Sequence, residues 1–340
     1  MKLSTPRWWY VRDDAQRRGG MPWIRAALTP ASWIWTAVTA RRIARTVPVD
    51  PGVPVICVGN LTMGGVGKTP VVSALADRLA ARGLAVHLLS RGYGGRLEGP
   101  VRVEPATHTT GDVGDEPLML AAHYPVWVSR DRAAGAKAAA AAGAQVIVMD
   151  DGHQNPSVKK ALSLVVVDGE TRGEDWPFGD GRVFPAGPMR EPLAVGLARA
   201  DAVLVLLPGD LPQAEAELTA MLAGPLLLTG HLQPTSAPPA GPQVGFAGIG
   251  KPWKVAASLK AAGCELADFA PFPDHAAYSQ ATLKALADRA SVFNAGLVTT
   301  EKDWVRLPPE WRARVAVWPV KAVFDDPAAL DSLLAKAGIG

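Results

Sequence analysis

The most specific chemistry in the chain lies in Thr62-Met63-Gly64-Gly65-Val66-Gly67-Lys68-Thr69, which follows an apolar run and precedes a helical pattern. Glycines let successive backbone N–H groups wrap a phosphate, and the start of a helix adds favourable potential for an anion. Lys68 is then placed to reach β- and γ-phosphates, and the Thr69 hydroxyl to meet Mg2+. Thr62 stands where such loops usually carry their first glycine; Gly64, Gly65 and Gly67 supply the permissive backbone. These residues suit the handling of a nucleoside triphosphate.

A second group is acidic. Val146-Ile147-Val148-Met149 is a buried-strand pattern ending in Asp150-Asp151, the arrangement that organises the Mg2+ shell beside a phosphate loop. Thr300-Glu301-Lys302-Asp303 superficially resembles a guanine-reading N/T-K-x-D motif, but Asp303 follows Lys302 directly, so ATP is favoured over GTP. Transfer to an alcohol also needs a base within hydrogen-bond reach. Asp115, Glu116, Asp150 and Asp151 are the candidate carboxylates in the first half. His275, in Phe272-Pro273-Asp274-His275, lies in a strand-to-helix loop and is the most interesting imidazole; His87, within a strand, reads as structural. Arg91, Arg130, Arg132 and Arg190 fall in loops or at element ends, where a guanidinium either clamps phosphate or stays solvated.

Alternating strands and helices must hold these residues. A strand at 53–58 leads through the glycine-rich loop into a helix at 68–82 that ends at Gly83. Further strands are expected at 84–89, 126–128, 146–149 and 164–167, with an alanine-rich helix between Asp131 and Gly143. A Gly- and Pro-rich loop, 169–192, precedes a second alternating half. Its strands fall at 202–207, 225–228, 244–247, near Leu266, at 296–299 and at 315–320, and its helices at 251–262, 280–290 and 327–337. This alternation implies an α/β fold: a parallel sheet of the P-loop NTPase type with helices on both faces.

The 340 residues, 48% hydrophobic, suit one large α/β unit or two lobes and exclude global disorder. Cys57 and Cys264 give neither a disulfide framework nor a zinc spacing, and fit a reducing compartment. The net charge of +3 is uneven: residues 1–47 hold nine Lys/Arg against Asp13 and Asp14, hence +7, leaving −4 for the rest. That segment also holds five of the eleven tryptophans, Trp8, Trp9, Trp23, Trp33 and Trp35. Basic residues beside tryptophan suit a membrane surface. Arg25 and Pro30 interrupt the apolar stretch, so it does not span a bilayer, and it lacks the form of a signal peptide. Thr29–Pro30 reads as a helix start. The helix would run through Trp33 to Arg45, apolar first and basic last, suited to oblique insertion with snorkelling arginines. A nucleic-acid role is poorly supported, because the basic excess is confined to this segment and no binding motif occurs.

Taken together, GGVGKTP, SRGYGG, GDEP, SRDR, MDDGHQN, FPAGPMREP, FPDHAAYS and TEKDWVR occur in this order. The set closely resembles the tetraacyldisaccharide 4'-kinase family of lipid A biosynthesis, over about residues 51–306 plus a basic N-terminal anchor helix. The resemblance implies transfer of the ATP γ-phosphate, with Mg2+, to the 4'-hydroxyl of an acylated disaccharide 1-phosphate lipid. It places the chain peripherally on the cytoplasmic face of the bacterial inner membrane and implies no protein partner. It also implies a smaller α/β second lobe on a two-stranded linker. The resulting division is 1–47 for membrane association, 48–200 for the kinase core, and 201–340 for the second lobe and a return to the core. By the same resemblance Lys68 and Thr69 match the phosphate loop, Asp115 the general base, His275 its dyad partner, and Glu116 an acid near Mg2+. Asp150 and Asp151 match an acidic pair, and Arg130 and Arg132 a basic pair. His153 departs from the aromatic residue usual in MDDGHQN, while Gln154 is retained.

Two other functions compete. A partitioning- or insertion-type ATPase usually carries another lysine near the start of its phosphate loop, and Leu61-Thr62-Met63 has none. A kinase of a small soluble metabolite has no use for the basic, Trp-rich segment.

Overall fold

The structure, a computed structural model, describes residues 6–11, 21–172 and 175–339. Lys2, Arg12, Asp13, Asp14, Arg17 and Arg18 lie outside the described residues, as does the side chain of Arg7.

Two sheets organise the chain. The larger has the order β13-β8-β7-β6-β1-β5-β2-β4-β3. Its strands are β1 (Val55–Gly59), β2 (Val86–Ser90), β3 (Val101–Arg102), β4 (Val126–Val128), β5 (Val146–Asp150), β6 (Leu162–Asp168), β7 (Ala202–Leu207), β8 (Leu226–Pro234) and β13 (Val320–Phe324). All pairings are parallel except those of the edge strands β3 and β13. The smaller sheet is wholly parallel, in the order β10-β9-β11-β12, from β9 (Gln243–Ala247), β10 (Leu266–Pro271), β11 (Gly296–Thr300) and β12 (Val315–Trp318). With their helices, residues 243–318 form a second lobe. The chain leaves the large sheet after Pro234 and rejoins it at Val320, and these two residues are registered against each other.

The expected parallel α/β architecture is therefore present. Parallel strands covered on both faces read as continuous apolar runs, and β1, β5, β6 and β7 are buried along their whole length. Helices begin where the sequence caps them. Gly67, at φ 85°, opens α2 (Lys68–Ala80), and the Asp131 carboxylate accepts from the Ala133 and Ala134 amides at the start of α3 (Arg132–Ala141). Ser279 caps α5 (Gln280–Val292), which follows α4 (Pro252–Ala261) in the second lobe. Asp326 caps α6 (Pro327–Lys336). Each side-chain cap contributes about 1 kcal/mol.

Two expectations need correction. The N-terminal helix α1 is Pro22–Arg45, so Thr29–Pro30 lies inside it. Pro22 takes the first-turn place where a missing N–H costs nothing. Around Pro30 the Thr29 and Ser32 hydroxyls donate to the Arg25 and Leu28 carbonyls at 2.8 and 3.3 Å. Docking outweighs the proline: Arg25 is fully buried, pairs with Asp180 and donates to the Trp8 carbonyl. Ser32 and Trp35 bond the Val183 and Arg190 carbonyls at 2.7 and 3.0 Å. Second, 315–320 is not one strand. Pro319 separates β12 from β13, which belong to different sheets and run in different pairings. Among the described residues no helix is long and apolar enough to cross a membrane.

Candidate active site

β1 lies inside the large sheet and delivers the glycine-rich loop to its C-terminal edge. Gly64 and Gly67 have φ of 92° and 85°, a region closed to most side chains. A Cβ on Gly67 would also stand 2.7 Å from Leu206 Cδ1. The FPAGPMREP segment braces this loop. The Met63 amide donates to the Pro188 carbonyl at 2.7 Å and the Arg190 amide to the Leu61 carbonyl at 2.8 Å. Arg190 Nε donates to the Thr62 carbonyl at 3.0 Å.

The acids at the end of β5 meet this loop. Asp151, at φ 55°, receives Arg190 Nη1 at 2.7 Å and lies 3.4 Å from Lys68 Nζ. Partial desolvation on the cleft floor pushes its carboxyl up, but Lys68 and Arg190 outweigh this and hold it well below the usual range. Asp150 behaves oppositely. It is buried, and burial raises its pKa to about 7 despite the pull of Lys68. Its Oδ1 has no hydrogen-bond partner. Gln154 donates to the Asn60 carbonyl at 2.9 Å and to Glu191 at 3.0 Å, and accepts from Arg190 at 3.4 Å.

The second lobe supplies the facing wall. His275, at φ 57°, places Nδ1 2.8 Å from Asp115 Oδ2, where the carboxylate accepts and Nδ1 donates. Arg306 Nε lies 2.9 Å from the same oxygen. Burial raises the Asp115 pKa, yet the His275 hydrogen bond and the Arg306 charge outweigh it, and the net shift is downward. Lys302 Nζ is 2.7 Å from Glu116, 3.4 Å from Asp274 and 3.5 Å from His275 Nε2. Asp115 keeps 11% side-chain exposure, and its partner His275 and neighbour Glu116 line a cleft of about 2320 Å³. That cleft also takes in Gly64, Lys68, Thr69, Arg91, Asp150, Asp151, Arg190 and, toward α1, Trp35.

Two arginines sit apart from the rest. Arg132 is buried, with Nε unpartnered, and burial lowers its pKa to about 10. Arg130 pairs with Glu98 at 2.5 Å on the surface and does not line the cleft. Lys302 and Arg306 were not among the candidates from sequence. Their signal was the spacing of two cations by four residues directly after a strand in TEKDWVR, which puts both on one side of a helical turn.

A sequence model of the tetraacyldisaccharide-1-P 4'-kinase family matches residues 24–338. The chain is 69% identical to the tetraacyldisaccharide 4'-kinase of Phenylobacterium zucineum, over 98% of this chain and 99% of that protein. It is 66% identical to the enzyme of the same name from Caulobacter vibrioides, over the whole of both. Its fold is similar to a crystal structure of LpxK from Aquifex aeolicus in complex with ATP, with a TM-score of 0.74 and 26% identity over 92% of this chain and 99% of that one. This chain belongs to the tetraacyldisaccharide-1-P 4'-kinase family.

Proposed function

We propose that the chain transfers the γ-phosphate of ATP to the 4'-hydroxyl of a tetraacyldisaccharide 1-phosphate, forming the bis-phosphorylated lipid A precursor, in the cleft between its lobes. The observation that carries this reading is the 2.8 Å contact of His275 with Asp115, beside the cleft that also holds Lys68 and the glycine-rich loop.

Asp115 is the general base. Its lowered pKa keeps it ionised at neutral pH, ready to take the proton of the acceptor hydroxyl as the oxygen attacks phosphorus. His275 donates to Oδ2 and orients the carboxylate. Such a base contributes about 10²–10⁴ in rate. The residues from Thr62 to Thr69 cradle the phosphates. Lys68 neutralises charge that spreads over the transferred group. Arg91, Asp151, Gln154 and Arg190, which line the cleft, frame the phosphates; Arg132, buried outside that lining, and Arg130, turned to Glu98, are given no contact.

Mg2+ fits the residues present. The unpartnered, buried Oδ1 of Asp150, a residue that lines the same cleft as Thr69, suits a hard cation with its waters. Thr69 and Asp150 would hold it, with Glu116 a further acid nearby. When bound it supplies charge neutralisation at the phosphates.

The chain attaches peripherally to the cytoplasmic face of the inner membrane through α1. Trp23, Trp33, Ile34 and Val38 are exposed there, ahead of Arg41, Arg42 and Arg45.

The test is incubation of labelled ATP–Mg2+ with detergent-dispersed tetraacyldisaccharide 1-phosphate, followed by mapping of the labelled position. Label at the 4'-position supports the reading. ATP hydrolysis without labelled lipid overturns it.

A further inference from the structure

Arg306 is bound on nearly every side by its own lobe. Nη1 and Nη2 each donate to the Gly248 carbonyl at 3.1 Å, Nη1 also to the Ala276 carbonyl at 3.2 Å, and Nε to the Lys302 carbonyl at 3.1 Å. Asp303 Oδ1 lies 3.2 Å away and is itself fixed, accepting from the Gly248 amide at 2.9 Å and the Tyr278 hydroxyl at 2.6 Å. The side chain is only 5% exposed. A guanidinium so fully engaged has little freedom to follow a moving partner. Among the described residues, its one polar contact outside the second lobe is the 2.9 Å approach to Asp115 Oδ2, the oxygen that His275 also holds.

We propose that Arg306 is a positioning residue for phosphoryl transfer. It is a fixed cation of the second lobe that sets the Asp115 carboxylate in its reactive orientation when the lobes stand as they do here. The proposal rests on the reading of Asp115 as the base. Two contacts from one rigid frame converge on Oδ2 and fix the plane of the carboxylate, which leaves Oδ1 to meet the acceptor hydroxyl. Neither contact survives separation of the lobes, so base and lobe arrangement are coupled. Lys302 bridges Glu116 and Asp274 four residues earlier and holds the same junction.

The experiment compares wild type, Arg306→Gln, Arg306→Lys, Asp115→Asn and the double variant Arg306→Gln/Asp115→Asn, as full chains. Labelled ATP–Mg2+ and detergent-dispersed acceptor lipid are the substrates, with ATP affinity and thermal unfolding measured alongside. Arg306→Gln is expected to lower kcat about 30- to 100-fold, the scale of an ångström-sized misplacement, with the KM for ATP within about twofold. Arg306→Lys, which keeps the charge but not the fork, recovers part of the loss. In the Asp115→Asn background Arg306→Gln costs less than about twofold more, because the two act through one group.

Wild-type kcat in either folded Arg306 variant overturns the proposal, and so does a loss that multiplies fully with that of Asp115→Asn. If Arg306→Gln does not fold, Arg306→Lys decides by the same criteria, paired with Arg306→Lys/Asp115→Asn. An undiminished kcat in Asp115→Asn removes the base assignment itself, an outcome distinct from failure of Arg306 alone.

Discussion

Gly250, in the loop that follows β9, lies directly against Gly65 of the glycine-rich loop, such that a Cβ on Gly250 would stand 3.1 Å from the Gly65 amide nitrogen. The second lobe thus walls the glycine-rich loop as well as supplying His275. A valine at this position must push the two loops apart. Gly250→Val is expected to raise the KM for ATP about tenfold and to lower kcat, while Tm moves by only a few degrees. Steady-state kinetics with an ATP titration checks this; unchanged values for both constants would show that the contact has no part in nucleotide binding.

A second tie between the lobes is ionic. Asp168, buried at the end of β6, accepts from Lys251 and Lys254 of the second lobe, each at 2.6 Å. Burial pushes its carboxyl up, and the two ammonium groups together pull it further down, below its ordinary 3.8. The folded pKa lies under the unfolded one, so this contribution is complete above about pH 3.8 and is lost as pH falls through the folded value. Asp168→Asn is expected to cost about 1–2 kcal/mol at pH 7, modest because both lysines keep access to water. The difference from wild type should shrink toward zero below pH 3.8, as read by urea denaturation across pH.

The outward face of α1 carries the membrane prediction. Trp23, Trp33 and Ile34 are 87, 69 and 67% exposed, and the docking of Arg25 and Ser32 holds the opposite face on the protein. Replacing all three by serine is expected to weaken binding to anionic vesicles at least tenfold. Transfer to detergent-dispersed acceptor should change by less than about twofold. Flotation with vesicles and the detergent assay separate the two effects.

The metal reading gives a stability prediction. Asp150 is raised to about 7 by burial, so its ionisation costs stability that grows as pH rises from about 4 to 7 and stays constant above. Asp150→Asn is expected to raise the Tm of the ligand-free protein more at pH 8 than at pH 5, and to remove most of the stabilisation that ATP–Mg2+ gives wild type. Thermal shifts at the two pH values, with and without ATP–Mg2+, check it.

How far the sequence carried the structure follows from where the determining contacts lie. The positions of the core strands are legible because fully buried parallel strands announce themselves as apolar runs, and the glycine-rich loop because its chemistry is local; the two-residue edge strand β3 and the order of strands across the sheet are not. The start of α1 is not set locally. Thr29–Pro30 has the local form of a helix start, whereas the actual start depends on Arg25 reaching Asp180, 155 residues away in the chain. Likewise 315–320 gives one apolar pattern, and only its two partners, β11 and β8, reveal that it serves two sheets. His275 drew attention through its loop position and the family pattern. Arg306 did not, because its role depends on carbonyls of Gly248 and Ala276 that no side-chain pattern reports.

The most direct measurement sets catalysis against binding. Phosphate transfer to detergent-dispersed tetraacyldisaccharide 1-phosphate and ATP affinity are measured together for wild type, Lys68→Ala and Asp115→Asn. The account expects Asp115→Asn to lose about a hundredfold or more in kcat with ATP affinity within about twofold, and Lys68→Ala to lose both. Transfer by Asp115→Asn at the wild-type rate, or an equal loss of ATP affinity in the two variants, would contradict it.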